Sequence, residues 1–117
     1  MSHIALAVRD QKRSRRFYET YFGFDPATAW VAEDGTLLID GPGDTSLALG
    51  ETDEPIDLPS FLHFGFGAAE TPADVHAFRD RLARDGIEIV EFVEEPDYVS
   101  VKCRDPDGYV VQFSWER

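Results

Sequence analysis

Ile4, Leu6 and Val8 alternate with His3, Ala5 and Ala7, and this period of two predicts a strand over residues 3–8. The period then lengthens. Ser14, Phe17, Tyr18, Tyr21 and Phe22 recur at three- and four-residue steps, the stripe of an amphipathic helix. Asp10 is placed to cap that helix and Gly23 to stop it. Residues 26–32 and 36–40 read as a hairpin about Glu33-Asp34-Gly35, because Asp-Gly supplies the turn. Asp40-Gly41-Pro42-Gly43-Asp44 is a second turn, and Ser46-Leu47-Ala48-Leu49 predicts a fourth strand.

Residues 51–59 (ETDEPIDLP) carry two prolines, are acidic and break every periodicity, so they read as a linker. Beyond them the same events repeat. Phe61–Gly67 sets Leu62, Phe64 and Phe66 against Phe61, His63 and Gly65, which predicts a strand. Thr71-Pro72-Ala73-Asp74 combines a cap, a proline at the first helical position and an acid in the first turn. Val75, Phe78 and Leu82 continue as an apolar stripe up to Gly86. Strand-like runs follow at 87–93, 98–103 and 109–115, the last introduced by the turn Asp105-Pro106-Asp107-Gly108.

The chain is therefore strand–helix–three strands, written twice. His3 matches His63, Phe17 matches Phe78, Gly23 matches Gly86, and Ala48 falls where Gln112 falls. Two copies of a period near sixty residues make a duplicated module rather than a solenoid. The expectation is one α+β domain over 1–117, with module 1 at about 1–50, the linker at about 51–59 and module 2 at about 60–117.

Composition adds exclusions. No apolar run approaches the ~20 residues of a membrane span. A lone cysteine, Cys103, removes internal disulfides and multi-cysteine metal sites, and favours a reducing cytoplasm. It reads as a small buried hydrophobe rather than a nucleophile. The net charge of −12 argues against nucleic acid as a partner, despite the basic run at Lys12, Arg13, Arg15 and Arg16. The same charge serves either solubility or attraction of a cationic ligand.

Three patterns carry a family resemblance: His3 with Arg16-Phe17-Tyr18 and Phe22-Gly23-Phe24 behind it; His63 opening the second module; and the closing Asp105-Pro106-Asp107-Gly108-Tyr109-Val110-Val111-Gln112. Together they resemble the vicinal oxygen chelate superfamily of glyoxalases, extradiol dioxygenases, fosfomycin-resistance enzymes and bleomycin-resistance proteins. The resemblance implies two βαβββ modules whose open curved sheets form a cup, commonly within a homodimer. It also implies four inward positions on the first and last strand of each module, which metal-using relatives fill with ligands. Here these are His3, Ala48, His63 and Gln112. The last is commonly glutamate in those relatives, so the set is depleted. It implies either no cofactor or a weakly bound divalent metal (Zn, Ni, Mn or Fe) on His3, His63 and Gln112.

The bland readings stand beside these: an exposed His3, a satisfied core His63, and a Gln112 that hydrogen-bonds only the neighbouring backbone. Ala5, Ala7, Ala48, Gly50, Gly65, Gly67 and Ser114 are expected on the inward faces, where small side chains leave room for a ligand. Ala48, Ser114, Trp30 and Tyr98 are the expected ligand contacts, the two aromatics as stacking faces or as dimer contacts. Three functions follow from these residues and the resemblance: a protein that sequesters an aromatic or cationic natural product, a metal-dependent enzyme, and a non-catalytic interaction domain.

Overall fold

The computed structural model describes residues 2–117 and divides into two compact units, the first ending at Asp57 and the second spanning Leu58–Arg117. The first unit runs β1 (Ser2–Val8), α1 (Gln11–Phe22), a short 3-10 helix (Pro26–Thr28), β2 (Trp30–Val31), β3 (Leu37–Asp40) and β4 (Thr45–Glu51). The second runs β5 (His63–Gly65), α2 (Pro72–Arg84), β6 (Ile89–Glu95), β7 (Tyr98–Arg104) and β8 (Val110–Glu116). Their sheets are ordered β1-β4-β3-β2 and β5-β8-β7-β6. In each, the first and last strands pair in parallel and the other pairings are antiparallel. The protein is thus α+β, built on two βαβββ modules.

Register makes the duplication quantitative. Ala5 pairs with Ala48 as Gly65 pairs with Gln112, and His3 pairs with Ser46 as His63 pairs with Val110. His3 and His63, like Ala48 and Gln112, are therefore equivalent positions.

The helices form where the sequence places their signals. Asp10 accepts hydrogen bonds from the backbone N–H groups of Lys12 and Arg13, and Gly23 ends α1 at φ 73°. Thr71 and Asp74 close a reciprocal capping box at the start of α2. Ser14, Phe17, Tyr18 and Phe22 are buried on α1, and Val75, Phe78 and Leu82 on α2. In the first unit they share the core with Leu6, Val8, Ile39, Leu47 and Leu49, and in the second with Val99, Val101, Cys103 and Val111. Phe78 meets Phe113 at 4.8 Å between ring centroids, which fixes the α2 side of β8 and sends Gln112 to the other side.

Two strand expectations fail. Residues 26–28 are helical rather than extended, because Asp25 caps the backbone N–H of Ala27 and Pro26 pre-sets the first helical φ. Only Trp30–Val31 remains to pair with β3. The strand expected over Phe61–Gly67 is confined to His63–Gly65. Leu62 N–H instead bonds the Pro59 carbonyl, and Gly67 has φ 69°, which ends the extended run. Leu62, expected in one alternating row with Phe64 and Phe66, is exposed as a result.

The closing turn is held by one buried carboxylate. Asp105 accepts hydrogen bonds from the backbone N–H groups of Asp107 and Tyr109, both at 2.9 Å, and delivers β8 in register beside β7.

Candidate functional site

Strand pairing determines which side chains share a face. In the first unit Trp30, Leu38, Ala48 and Ala5 lie in one row across four strands, with His3 and Ser46 in the next row. A cavity of about 320 Å³ opens on this face, lined by Ala5, Ala7, Thr36, Ala48, Gly50 and Glu51. Ala5, Ala7, Ala48 and Gly50 therefore share one face of this sheet. Trp30 stands at the far end of the row, on the edge strand, and is 58% exposed. His3 is exposed.

The equivalent row of the second unit is Glu91, Lys102, Gln112 and Gly65, with His63 and Val110 beside it. Lys102 and Glu91 form an ion pair at 3.1 Å. Gln112 is tied by its carboxamide nitrogen, which donates to Tyr98 Oη at 2.7 Å and to Ser100 Oγ at 2.9 Å. Ser100 is buried, with Ser114 its strand partner, so the clamp rests on a fixed hydroxyl. Of the three bland alternatives, an exposed His3 is what the structure shows, His63 is half-buried, and Gln112 bonds neighbouring side chains rather than backbone.

His63 lines a cleft of about 240 Å³ together with Phe61, Leu62, Val90, Glu91, Lys102 and Arg104, among others. Its Nδ1 lies 2.9 Å from the Phe61 carbonyl oxygen. A carbonyl can only accept, so in the neutral ring Nδ1 carries the proton and Nε2 keeps the lone pair. Phe61 is 84% exposed and packs edge-on against the His63 ring at 5.3 Å.

The structure thus brings His63, Gln112, Ser114 and Tyr98 onto one face of the second sheet, and His3, Ala48 and Trp30 onto one face of the first. Ser100, Lys102 and Glu91 were missed by the sequence reading. The alternation Tyr98-Val99-Ser100-Val101-Lys102 contained the signal for the first two, since it puts them in step with Tyr98.

The donors do not fit a tightly held divalent ion. Ala48 has no donor atom, Gln112 is a neutral amide already bonded through nitrogen, and the remaining two positions are imidazoles, so no carboxylate stands in the set. Among the described residues no three His, Cys, Asp or Glu side chains are grouped to hold a metal.

Cys103 is wholly buried, and burial, with the nearby Asp105 carboxylate, pushes its thiol up to about 12. It is no nucleophile at neutral pH.

With this fold and these faces, the chain belongs to the Glyoxalase/Bleomycin resistance protein/Dioxygenase superfamily, whose family model matches residues 1–113. Among solved structures it is similar to a glyoxylase/bleomycin resistance protein/dioxygenase domain from Frankia sp., with TM-score 0.75 and 27% identity over 100% of this chain and 97% of that one. It also shares its fold with a fosfomycin resistance protein from Mesorhizobium loti (TM-score 0.77, 20% identity, covering 100% and 92%). A lactoylglutathione lyase from Agrobacterium tumefaciens is a third such structure (TM-score 0.73, 23% identity, covering 98% and 92%). No curated protein sequence matches the chain.

Proposed function

We propose that this protein binds and sequesters a small aromatic or cationic natural product and performs no chemistry on it. The observation that carries this reading is the state of the four positions where metal-using relatives hold their ion. They are two imidazoles, a methyl group and a carboxamide whose nitrogen is already bonded to Tyr98 and Ser100. The small-residue face around Ala48 and the exposed Trp30 ring beside it support an aromatic guest. The net charge of −12 supports a cationic one through long-range attraction. In this reading the working form is a homodimer in the cytoplasm, and sedimentation equilibrium should return twice the chain mass.

A metal-dependent enzyme is the second reading, and one observation favours it. The Phe61 carbonyl fixes the His63 tautomer that leaves Nε2 free to ligate.

Calorimetric titration with Zn, Ni and Mn separates the two. Wild type should bind these ions weakly, and His63→Ala should change little. Gln112→Glu adds an anion at the depleted position and should tighten binding if His63 and residue 112 act on one ion. Tight wild-type binding that vanishes in His63→Ala would sink the sequestration reading. Under that reading a cationic aromatic ligand should also bind more weakly at high salt, as screening removes the long-range attraction. Fluorescence of Trp30 and Trp115 would report it.

A further inference from the structure

The carboxamide of Gln112 has two ends, and the structure accounts for only one of them. Both N–H bonds of Nε2 are used, one on Tyr98 Oη at 2.7 Å and one on Ser100 Oγ at 2.9 Å. Oε1 accepts no hydrogen bond from the described residues. Among the described residues no buried side-chain nitrogen or oxygen lacks a partner, so this unbonded oxygen is reached by solvent. It emerges on the sheet face that also carries His63, Gly65 and the Lys102–Glu91 pair. That pair cancels its own charge and leaves the amide oxygen as an acceptor without a donor.

We propose that Gln112 Oε1 is the ligand-recognising acceptor of the second unit, with Tyr98 and Ser100 as its positioning residues. The site then selects molecules that present an N–H or O–H donor, amidinium and ammonium groups foremost. This rests on the small-molecule-binding reading and adds the chemistry that the guest must offer. The physical reason is the clamp. A free glutamine rotates and presents either end, so it discriminates poorly between donors and acceptors. Fixing the nitrogen on two hydroxyls, one of them on the buried Ser100, leaves only the acceptor end outward. A guest with a carboxylate or carbonyl at that point would set two acceptors face to face and leave both without a proton. The reversed amide, with Oε1 accepting from both hydroxyls, would present N–H groups outward and select anions instead.

The sequence provides a clean readout, because the chain has two glutamines and no asparagine. A nitrogen-15 spectrum therefore contains two side-chain carboxamide pairs. One belongs to Gln11, whose Nε2 donates to the Gly35 and Leu49 carbonyls. Gln112→Met deletes the other and assigns it. The Gln112 protons should exchange with water several-fold more slowly than those of a free glutamine side chain. Tyr98→Phe and Ser100→Ala should each speed that exchange, and neither should alter the Gln11 pair.

Benzamidine and benzoate, matched in shape and opposite in hydrogen-bonding sense, then probe recognition. Benzamidine should shift the Gln112 pair and bind several-fold more weakly to Gln112→Met, while benzoate leaves the pair unmoved. Unprotected Gln112 protons, or a response to benzoate in place of benzamidine, would overturn the proposal by showing the reversed amide. Benzamidine that moves tryptophan resonances but not Gln112 would overturn it while leaving small-molecule binding intact. Silence with both probes would overturn the two together.

Discussion

The two units share topology and register, yet equivalent rows on their open faces have opposite chemistry. Across four strands the first reads Trp30, Leu38, Ala48, Ala5; the second reads Glu91, Lys102, Gln112, Gly65. On the helix side the rows agree. Ile4, Leu47 and Ile39 are matched by Phe64, Val111 and Cys103, and the last two of each set are fully buried. The difference separates constraint from freedom. The side that packs under a helix is held to apolar residues by the cost of burying polar groups. The open side carries no such demand, and there the copies have diverged into an aromatic, small-lined face and a polar, hydrogen-bonded one.

Truncating a core leucine tests whether the helix sides are equally demanding. Leu49→Ala and Leu82→Ala each empty a fully buried site, in the first and second unit respectively. Each should cost about 2–5 kcal/mol in urea unfolding. Amide hydrogen exchange in each variant should rise chiefly in its own unit. An equal rise in both would deny that the units are separately compact.

A smaller effect should expose a closer strand approach in the second unit. A Cβ added to Gly65 would lie 2.7 Å from the Gln112 carbonyl oxygen, whereas the equivalent Ala5 carries its Cβ beside Ala48. Gly65→Ala should therefore destabilise by about 1–3 kcal/mol, since the neighbour in the way is backbone. Ala5→Gly should cost only about 0.5–1 kcal/mol, through backbone entropy. If Gly65→Ala is neutral, the polar row has more slack than this geometry allows.

Legibility in the sequence followed the same division. The helix sides could be read because their signals are local: the Asp10 cap, the Thr71–Asp74 box, and the apolar steps at Phe17 and Phe78. The faces of β4 and β8 could be read from alternation alone, which put Ala48 and Gln112 opposite the core. Alternation failed where a backbone hydrogen bond overrode it. Asp25 and Pro26 turned the start of the first hairpin into a helical turn, and the Leu62–Pro59 bond shortened β5. The partners of Gln112 were not legible, because Tyr98 and Ser100 lie on another strand and only register brings them within reach.

The helix starts differ in a way worth about 1 kcal/mol. On α2 the capping box places Asp74 at the positive end of the helix dipole, with Arg81 and Arg84 at the other end. On α1 the first turn has no acid and carries Lys12 instead. Asp10→Ala and Thr71→Ala should each cost about 1 kcal/mol, the usual worth of a cap. Lys12→Glu should instead stabilise by about 0.3–1 kcal/mol, by correcting the charge at the start of α1. Chemical denaturation of the three variants checks all of this, and a destabilising Lys12→Glu would give that lysine a role beyond the helix.

At neutral pH the smallest effect is expected at Cys103, whose titration contributes nothing there. This thiol occupies the position that Ile39 holds in the first unit, and both side chains are fully buried. Burial first, then the Asp105 carboxylate, raises it from 9.0 to about 12. Well below pH 9 the thiol is protonated in folded and unfolded chains alike, so titration contributes nothing to the balance. As pH climbs from there toward 12, the unfolded chain releases its proton while the folded one retains it, and stability falls. Cys103→Val should abolish that alkaline loss while leaving the neutral-pH transition almost unchanged. A disulfide reagent at neutral pH should label native protein far more slowly than unfolded protein, because a buried thiol supplies neither thiolate nor access. Equal labelling rates would show that Cys103 is open to solvent. The match between it and Ile39, and with it the claim that both units are held to the same rule beneath their helices, would then fail.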